Sequence, residues 1–425
     1  MRLLKNEKVI DIIERTLNCI DARLIDHGKR VAYLIFKILH PQRRFDDKQL
    51  QNICILAMLH DVGAYKTEEI DKMVIFETID IWEHSIYGYL FLKYFSPLKA
   101  LAETILFHHA ECGEIKHLSD DKLQLLAQLI SICDRADVFS LHNGDNDDFK
   151  DYVNKHRNIK YRDDIADMFL SSGVNINAVF DDIDGDAEFN RIFRCTPLTA
   201  DEVAGYINMI IFSIDFRSNQ TVIHTVTATC IAGILAKMFG ADENEIEKIK
   251  TGATLHDIGK IGIPVNIIES VKKLNDADME IMKSHINITE KILDGNVSDD
   301  IKNIAVKHHE RLDGSGYPRN LGADDIAFND RIVAIADIFS ALCGARSYKG
   351  AFPKEKVIEI LENMSEKNLI DAQIVSLSIE RFDEILKEVD IRSRPVIETY
   401  NAINEEYLKI RRYVENSWKN GISLK

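Results

Sequence analysis

Several scarcities narrow this chain before any motif does. Only seven prolines occur in 425 residues. Apolar residues recur at helical spacing along most of the length, which points to an all-α architecture. No run approaches eighteen consecutive apolar residues, and the N-terminus lacks the apolar core of a signal peptide. Seven cysteines are scattered with no C-x-x-C pair, a pattern suited to a reducing compartment rather than a disulfide framework. The expectation is a cytoplasmic protein that engages no membrane. Positive charge is also in deficit: 53 lysines and arginines face 69 aspartates and glutamates, a net charge of −16. Such a surface is not built to coat a nucleic-acid polymer. An anionic substrate would have to be met by metals or by a few well-placed basic residues.

What is present is histidine in an ordered series. Ten of the fourteen histidines fall into two parallel sets. The first is His27, His60-Asp61, His84, His108-His109 and then Asp134; the second is His224, His256-Asp257, His285, His308-His309 and then Asp337. Local words repeat with them: AMLHDVGA against ATLHDIGK, ILFHHAE against AVKHHER, ADVFS against ADIFS. Five echoes in order make the chain two copies of one domain. Equal spacing would pair Asp337 with Asp137 through the shared ADxFS. The apolar run before the acid, LISICD against IVAIAD, pairs it with Asp134 instead, and the buried helix face is the firmer guide to register. The boundary is expected near residue 195, giving an N-terminal domain over 1–195 and a C-terminal domain over 196–425. Acidic segments around 144–148 and 181–186 precede it as solvated turns, and Pro197 to Glu202 reads as a helix start. The stretch after Arg394 reads as a long helix for packing or dimerisation.

Histidine offers a neutral imidazole to a metal, and an aspartate can bridge two cations. Each candidate lies in or at the end of a helical pattern, the way a bundle gathers ligands from several helices around one point. A lone histidine on an apolar helix is usually a core residue; five in a repeated order with two acids indicate a metal site. Two ions sharing Asp257 would bring a bound water's pKa toward neutrality for attack on phosphorus. Lys260, four residues after His256, is placed to meet a phosphate oxygen. Mixed His and carboxylate ligation suits iron, manganese or another first-row ion better than magnesium or calcium. Asp313-Gly314-Ser315-Gly316 is turn chemistry that could carry a loop across the site.

HDIGKIGIP, HHERLDGSGYP, AIADIFSAL and RSYK, in this order over roughly 201–388, resemble the HD-GYP family of bacterial phosphodiesterases, a branch of the HD metal-dependent phosphohydrolases. The resemblance implies two tandem HD-type helical bundles, the second hydrolysing cyclic di-GMP to linear pGpG or on to GMP; some members of the family prefer cyclic GMP-AMP. It also implies that His224, His256, Asp257, His285, His308, His309 and Asp337 ligate the metals. Substrate contacts fall to Tyr317, Arg346 and Lys349, with Asp257 and Lys260 at the chemistry. Three-metal members carry a glutamate four residues before the first histidine. Gln220 stands there, so two ions are expected. The first copy resembles the wider superfamily. It keeps His27, His60, Asp61, His84, His108, His109 and Asp134 as a possible metal set, but AECGEIKH replaces the GYP loop and Ala64 replaces the lysine. A regulatory role is expected for it. The rival readings are a phosphohydrolase of other nucleotides, which would not need the loop, and a receptor that binds cyclic dinucleotide without cutting it. A two-fold homodimer is the commonest assembly and the default expectation.

Overall fold

The computed structural model describes residues 3–19, 26–64, 82–118, 120–142, 144–216, 223–270, 272–344 and 352–419. Every regular element among them is an α- or 3-10 helix, as the periodicity predicts. None of these helices is long and apolar enough to cross a membrane.

The chain separates into two compact units. One comprises residues 21–209 and 403–425; the other comprises 1–20 and 210–402. This differs from the boundary expected at 195, and the reason is local. Residues just past 195 stay tied to helix Asp47–Met58. Gln51 donates to the Thr196 carbonyl at 2.8 Å, Lys48 donates to the Pro197 carbonyl at 3.2 Å, and Lys48 pairs with Glu202 at 2.9 Å. The predicted helix start is present there. Thr199 and Glu202 exchange side-chain and backbone hydrogen bonds of 3.2 and 2.8 Å, opening helix Ala200–Asp215 with a capping box. The first helix, Asn6–Leu17, is counted with residues 210–402. Its Arg15 donates to the carbonyls of Lys291 and Asp294 at 3.1 and 2.7 Å, and it packs on helix His285–Leu293.

The acidic segments are solvent-exposed, as expected, and they also cap and tether helices. Asp145 and Asp186 accept backbone N–H groups at the starts of helices Asn146–Lys155 and Ala187–Cys195. Asp184 accepts Lys29 at 2.7 Å and Asp186 accepts Tyr33 at 3.1 Å. Short acidic side chains in these turns serve as helix caps and tethers.

The repeat reappears as packing. Helix His27–Leu39 lies on Asp47–Met58 and on Asp121–Leu141. In the other unit His224–Met238 lies in the same manner on Glu243–Leu255 and Phe328–Cys343. The core of the latter joins Ile231, Leu235, Ile249, Val333 and Phe339, all fully buried. The helices whose apolar residues build each unit's core also carry the histidines, most of them at helix ends. A 38-residue helix, Phe382–Lys419, closes the described chain.

Candidate metal centre

In the unit containing residues 210–402 the seven acids and histidines named from sequence converge. His224 and His285 begin their helices, His256-Asp257 follows the end of Glu243–Leu255, His308-His309 follows Asp299–Val306, and Asp337 lies within Phe328–Cys343. Two groups form, each with ligand atoms within 4.8 Å of one another: His224, His256 and Asp257; and His285, His308 and His309. The carboxylates connect them. Asp257 Oδ2 is 3.2 Å from His256 Nε2 and 3.6 Å from His224 Nε2. Its Oδ1 is 3.5 Å from His285 Nε2 and 3.9 Å from His308 Nε2. Asp337 Oδ1 lies 3.1 Å from His224 Nε2, and Oδ2 lies 3.8 Å from His309 Nδ1.

The imidazoles are aimed. His256, His285 and His308 each hydrogen-bond through Nδ1 to the carbonyl three residues earlier, at 2.6, 2.6 and 2.7 Å. A carbonyl only accepts, so Nδ1 carries the proton and the Nε2 lone pair faces inward. Ser340 Oγ holds His224 Nδ1 at 2.9 Å. The inward atoms have no hydrogen-bond partner: Nε2 of His256, His285 and His308, and Oδ1 of Asp257, are all buried and unsatisfied. Four such atoms at one point would cost about 1–3 kcal/mol each if nothing met them. Divalent cations satisfy all four, so the residues fit a metal pair.

Burial pushes His285 down to about 4 and His309 to about 3, and holds His308 well below its ordinary value, leaving these three imidazoles neutral; burial would lower His256 too, but the Asp257 carboxylate outweighs it and raises that ring to about 9. Burial alone would raise Asp257, but His256 and Lys260 outweigh it and hold the carboxyl well below the usual range; His224 does the same for Asp337. Lys260 Nζ sits 2.5 Å from Asp257 Oδ2, so the lysine meets the ligand carboxylate itself.

Glycine enforces one close approach. A Cβ at Gly259 would lie 2.0 Å from the His285 carbonyl oxygen, and the turn after Asp257 can seat against the His285 helix only without one. Gly63 makes the same approach to the His84 carbonyl, at 1.9 Å.

The loop after His309 is held by a residue that the sequence patterns did not single out. Glu310 is buried, and its two carboxylate oxygens accept the backbone N–H of Arg319 at 2.8 Å and of Leu321 at 2.9 Å. Asp313 accepts Ser315 N at 2.9 Å, and Asp313 bridges to Gly322. The result sets the Tyr317 ring 4.7 Å from the His309 ring, with Tyr317 N donating to the His309 carbonyl at 3.2 Å. The signal was available, since an acid directly after a metal-type His-His pair is placed to brace the loop beyond it. Replacing Glu310 with alanine is expected to raise KM by roughly tenfold or more through a loosened loop, with metal content unchanged. An unchanged KM would remove Glu310 from this role. Asp215 carries no motif that would have marked it either. Burial pushes its carboxyl up to about 8, and it faces the negative charge of Asp257. Gln220, Arg346 and Lys349 lie outside the described residues.

The other unit repeats the arrangement. His27, His60 and Asp134 form one group and Asp61, His84, His108 and His109 form another. Asp134 Oδ1 is 3.3 Å from His27 Nε2, while Asp137 Oδ2 meets the opposite ring nitrogen, Nδ1, at 2.7 Å. Asp134 thus occupies the place of Asp337, and Asp137 that of Ser340. No counterpart of the Tyr317 loop follows His109; residues Ile115–His117 form a short 3-10 turn there.

A family model described as HD domain matches residues 207–374, the span that holds His224 to Asp337. Over 392 residues, 86% of this chain and 89% of the relative, the sequence is 25% identical to 3'3'-cGAMP-specific phosphodiesterase 1 of Vibrio cholerae. Over 191 residues, 44% of this chain and 50% of the relative, it is 37% identical to a cyclic di-GMP phosphodiesterase of Thermotoga maritima. The fold is also that of the crystal structure of the cyclic GMP-AMP-specific phosphodiesterase V-cGAP3 of V. cholerae. That likeness has a TM-score of 0.54 and 16% identity, covering 87% of this chain and 96% of that one. Residues 207–374 are thus similar to the HD domain, and the chain aligns with relatives named as cyclic-dinucleotide phosphodiesterases.

Proposed function

We propose that this chain is a metal-dependent phosphodiesterase that hydrolyses a cyclic dinucleotide, cyclic di-GMP first, in the unit carrying residues 210–402. The observation that carries the reading is the meeting of two carboxylates and five histidines, with inward atoms unsatisfied, directly beneath the Tyr317 loop. His224, His256, Asp257 and Asp337 would hold one ion; His285, His308 and His309 would hold a second with Asp257 between them. Two first-row ions, iron or manganese by the donor set, supply an acidified water and neutralise phosphoryl charge when bound. The protein's own residues do the rest. Asp257 and Asp337 stay ionised. Lys260, held at Asp257, would offer an ammonium to the reacting phosphate once its carboxylate is shared. Tyr317 covers the His309 side and offers a ring and a hydroxyl to the base. Arg346 and Lys349 are assigned to phosphate and guanine by the family resemblance alone. Water adds across one phosphodiester P–O bond and a linear dinucleotide leaves; a second addition yields mononucleotides.

A second substrate reading has its own support. A relative that aligns with most of this chain, both units included, is named for 3'3'-cGAMP. The unit of residues 21–209 is read as regulatory, because it lacks the loop and the lysine. Seven free cysteines fit a cytoplasmic setting, and a homodimer remains the default assembly. The test is product analysis of anaerobically prepared, metal-replete protein with cyclic di-GMP and 3'3'-cGAMP. A linear product from either supports the enzyme, and the faster substrate decides between them. Tight binding with no turnover of either would overturn it in favour of a receptor.

A further inference from the structure

The unit of residues 21–209 carries a complete polar pocket that no phosphodiesterase step uses. His60 Nε2, Asp61 Oδ1 and His108 Nε2 are buried without a hydrogen-bond partner. His60 and His108 donate through Nδ1 to the carbonyls of Ala57 and Ile105 at 2.8 and 2.6 Å, so the unsatisfied nitrogens present lone pairs inward. Asp61 spans the two groups, 3.2 Å from His60 and 3.8 Å from His27 by Oδ2, and 3.6 Å from His108 and 3.8 Å from His84 by Oδ1. His109 and His84 bring their Nε2 atoms to 3.0 Å. Two imidazole nitrogens so close are the bite of a shared cation as readily as a single hydrogen bond.

Two differences from the other pocket bear on strength. Asp257 is already engaged by the Lys260 ammonium at 2.5 Å, which a metal must displace or share. Alanine stands in that place here, and among the described residues only histidines lie within ion-pair distance of Asp61. Behind the first histidine, a carboxylate replaces a hydroxyl. His27 Nδ1 meets Asp137, itself held by Arg30 at 2.6 Å, whereas His224 Nδ1 meets Ser340. A carboxylate on the outer ring nitrogen makes the inner one a more basic ligand, and such outer partners change metal affinity by roughly 10–100-fold.

We propose that His27, His60, Asp61, His84, His108, His109 and Asp134 form a second two-ion centre for first-row divalent metals, held more tightly than the centre under the Tyr317 loop. With no loop to present a dinucleotide, it is a resident centre that completes the unit's interior. The proposal concerns metal affinity and stands apart from the assigned reaction.

Metal per chain, measured by mass spectrometry on the full chain across a chelator titration, tests it. Wild type should hold roughly four ions, two per unit. Asp257→Ala should keep about two, and these should resist at least about tenfold more chelator than the two kept by Asp61→Ala. If Asp61→Ala fails to fold, cobalt-substituted Asp257→Ala decides: ligand-field absorption that survives must come from residues 21–209. Wild type saturating at two ions, with Asp257→Ala holding none, would overturn the second centre. Equal or reversed chelator resistance would overturn its tighter hold. Absence of turnover in a four-ion protein would count against the phosphodiesterase reading and leave this one standing.

Discussion

Asp257→Ala is expected to lower cyclic-dinucleotide hydrolysis by at least about a thousandfold. The reason is geometric. Asp257 is the carboxylate whose two oxygens face different histidine groups, Oδ2 toward His256 and His224, Oδ1 toward His285 and His308. Removing it separates two ions that would otherwise share a ligand, and takes from the half-buried Lys260 ammonium the carboxylate it meets. Losing that contact can also cost stability. The loss of rate must therefore be shown in folded protein, by circular dichroism and thermal melting. Asp257→Asn keeps the shape while removing the charge. If either folded variant retains more than about a tenth of wild-type kcat, Asp257 is not the shared ligand and the centre is drawn wrongly.

Deleting residues 1–20 should cost the unit of residues 210–402 its stability, though none of the proposed metal or substrate residues lies there. Val9, Ile10, Ile12 and Ile13 are fully buried, each worth about 1.5–3 kcal/mol as an upper bound. Together they rival the roughly 5–15 kcal/mol that holds a whole domain. The helix they form packs on His285–Leu293 and on the 3-10 turn Ile258–Gly262 that follows Asp257. The shortened chain should lose more than about 10 °C in melting temperature and bind metal less well at the His285 group. A fragment beginning at residue 196 should fail in the same way, and adding a peptide of residues 1–20 should restore part of the loss. An unchanged melting temperature would show that this helix is an appendage.

The two expectations differ in how visible they were. Asp257 could be named from a histidine-aspartate pair repeated 196 residues earlier at Asp61, because metal chemistry depends on residue type and tolerates no substitute. Helix Asn6–Leu17 could not be assigned, because its apolar stripe states only that one face is buried, not against what. The same limit explains the boundary. Residues 196–209 read as the start of a new domain because a capping box begins there, yet Lys48 and Gln51 hold them to the preceding unit. Acidic runs at 144–148 and 181–186 read as solvated turns and are exposed, but the pattern did not show that Asp145 and Asp186 also cap helices.

Sequence by itself determined the all-helical class, the repeat, the histidines and acids that gather in each copy and the presence of the Gly-Tyr-Pro loop in only one. Each of these follows from local period or from side-chain chemistry. Tertiary structure alone decided that the first helix packs with residues 210–402, that residues 196–209 stay with the preceding unit and that Glu310 accepts the backbone of Arg319 and Leu321. Those depend on which surfaces close over one another in space, and a pattern of 3.6 residues per turn carries no record of its distant partner.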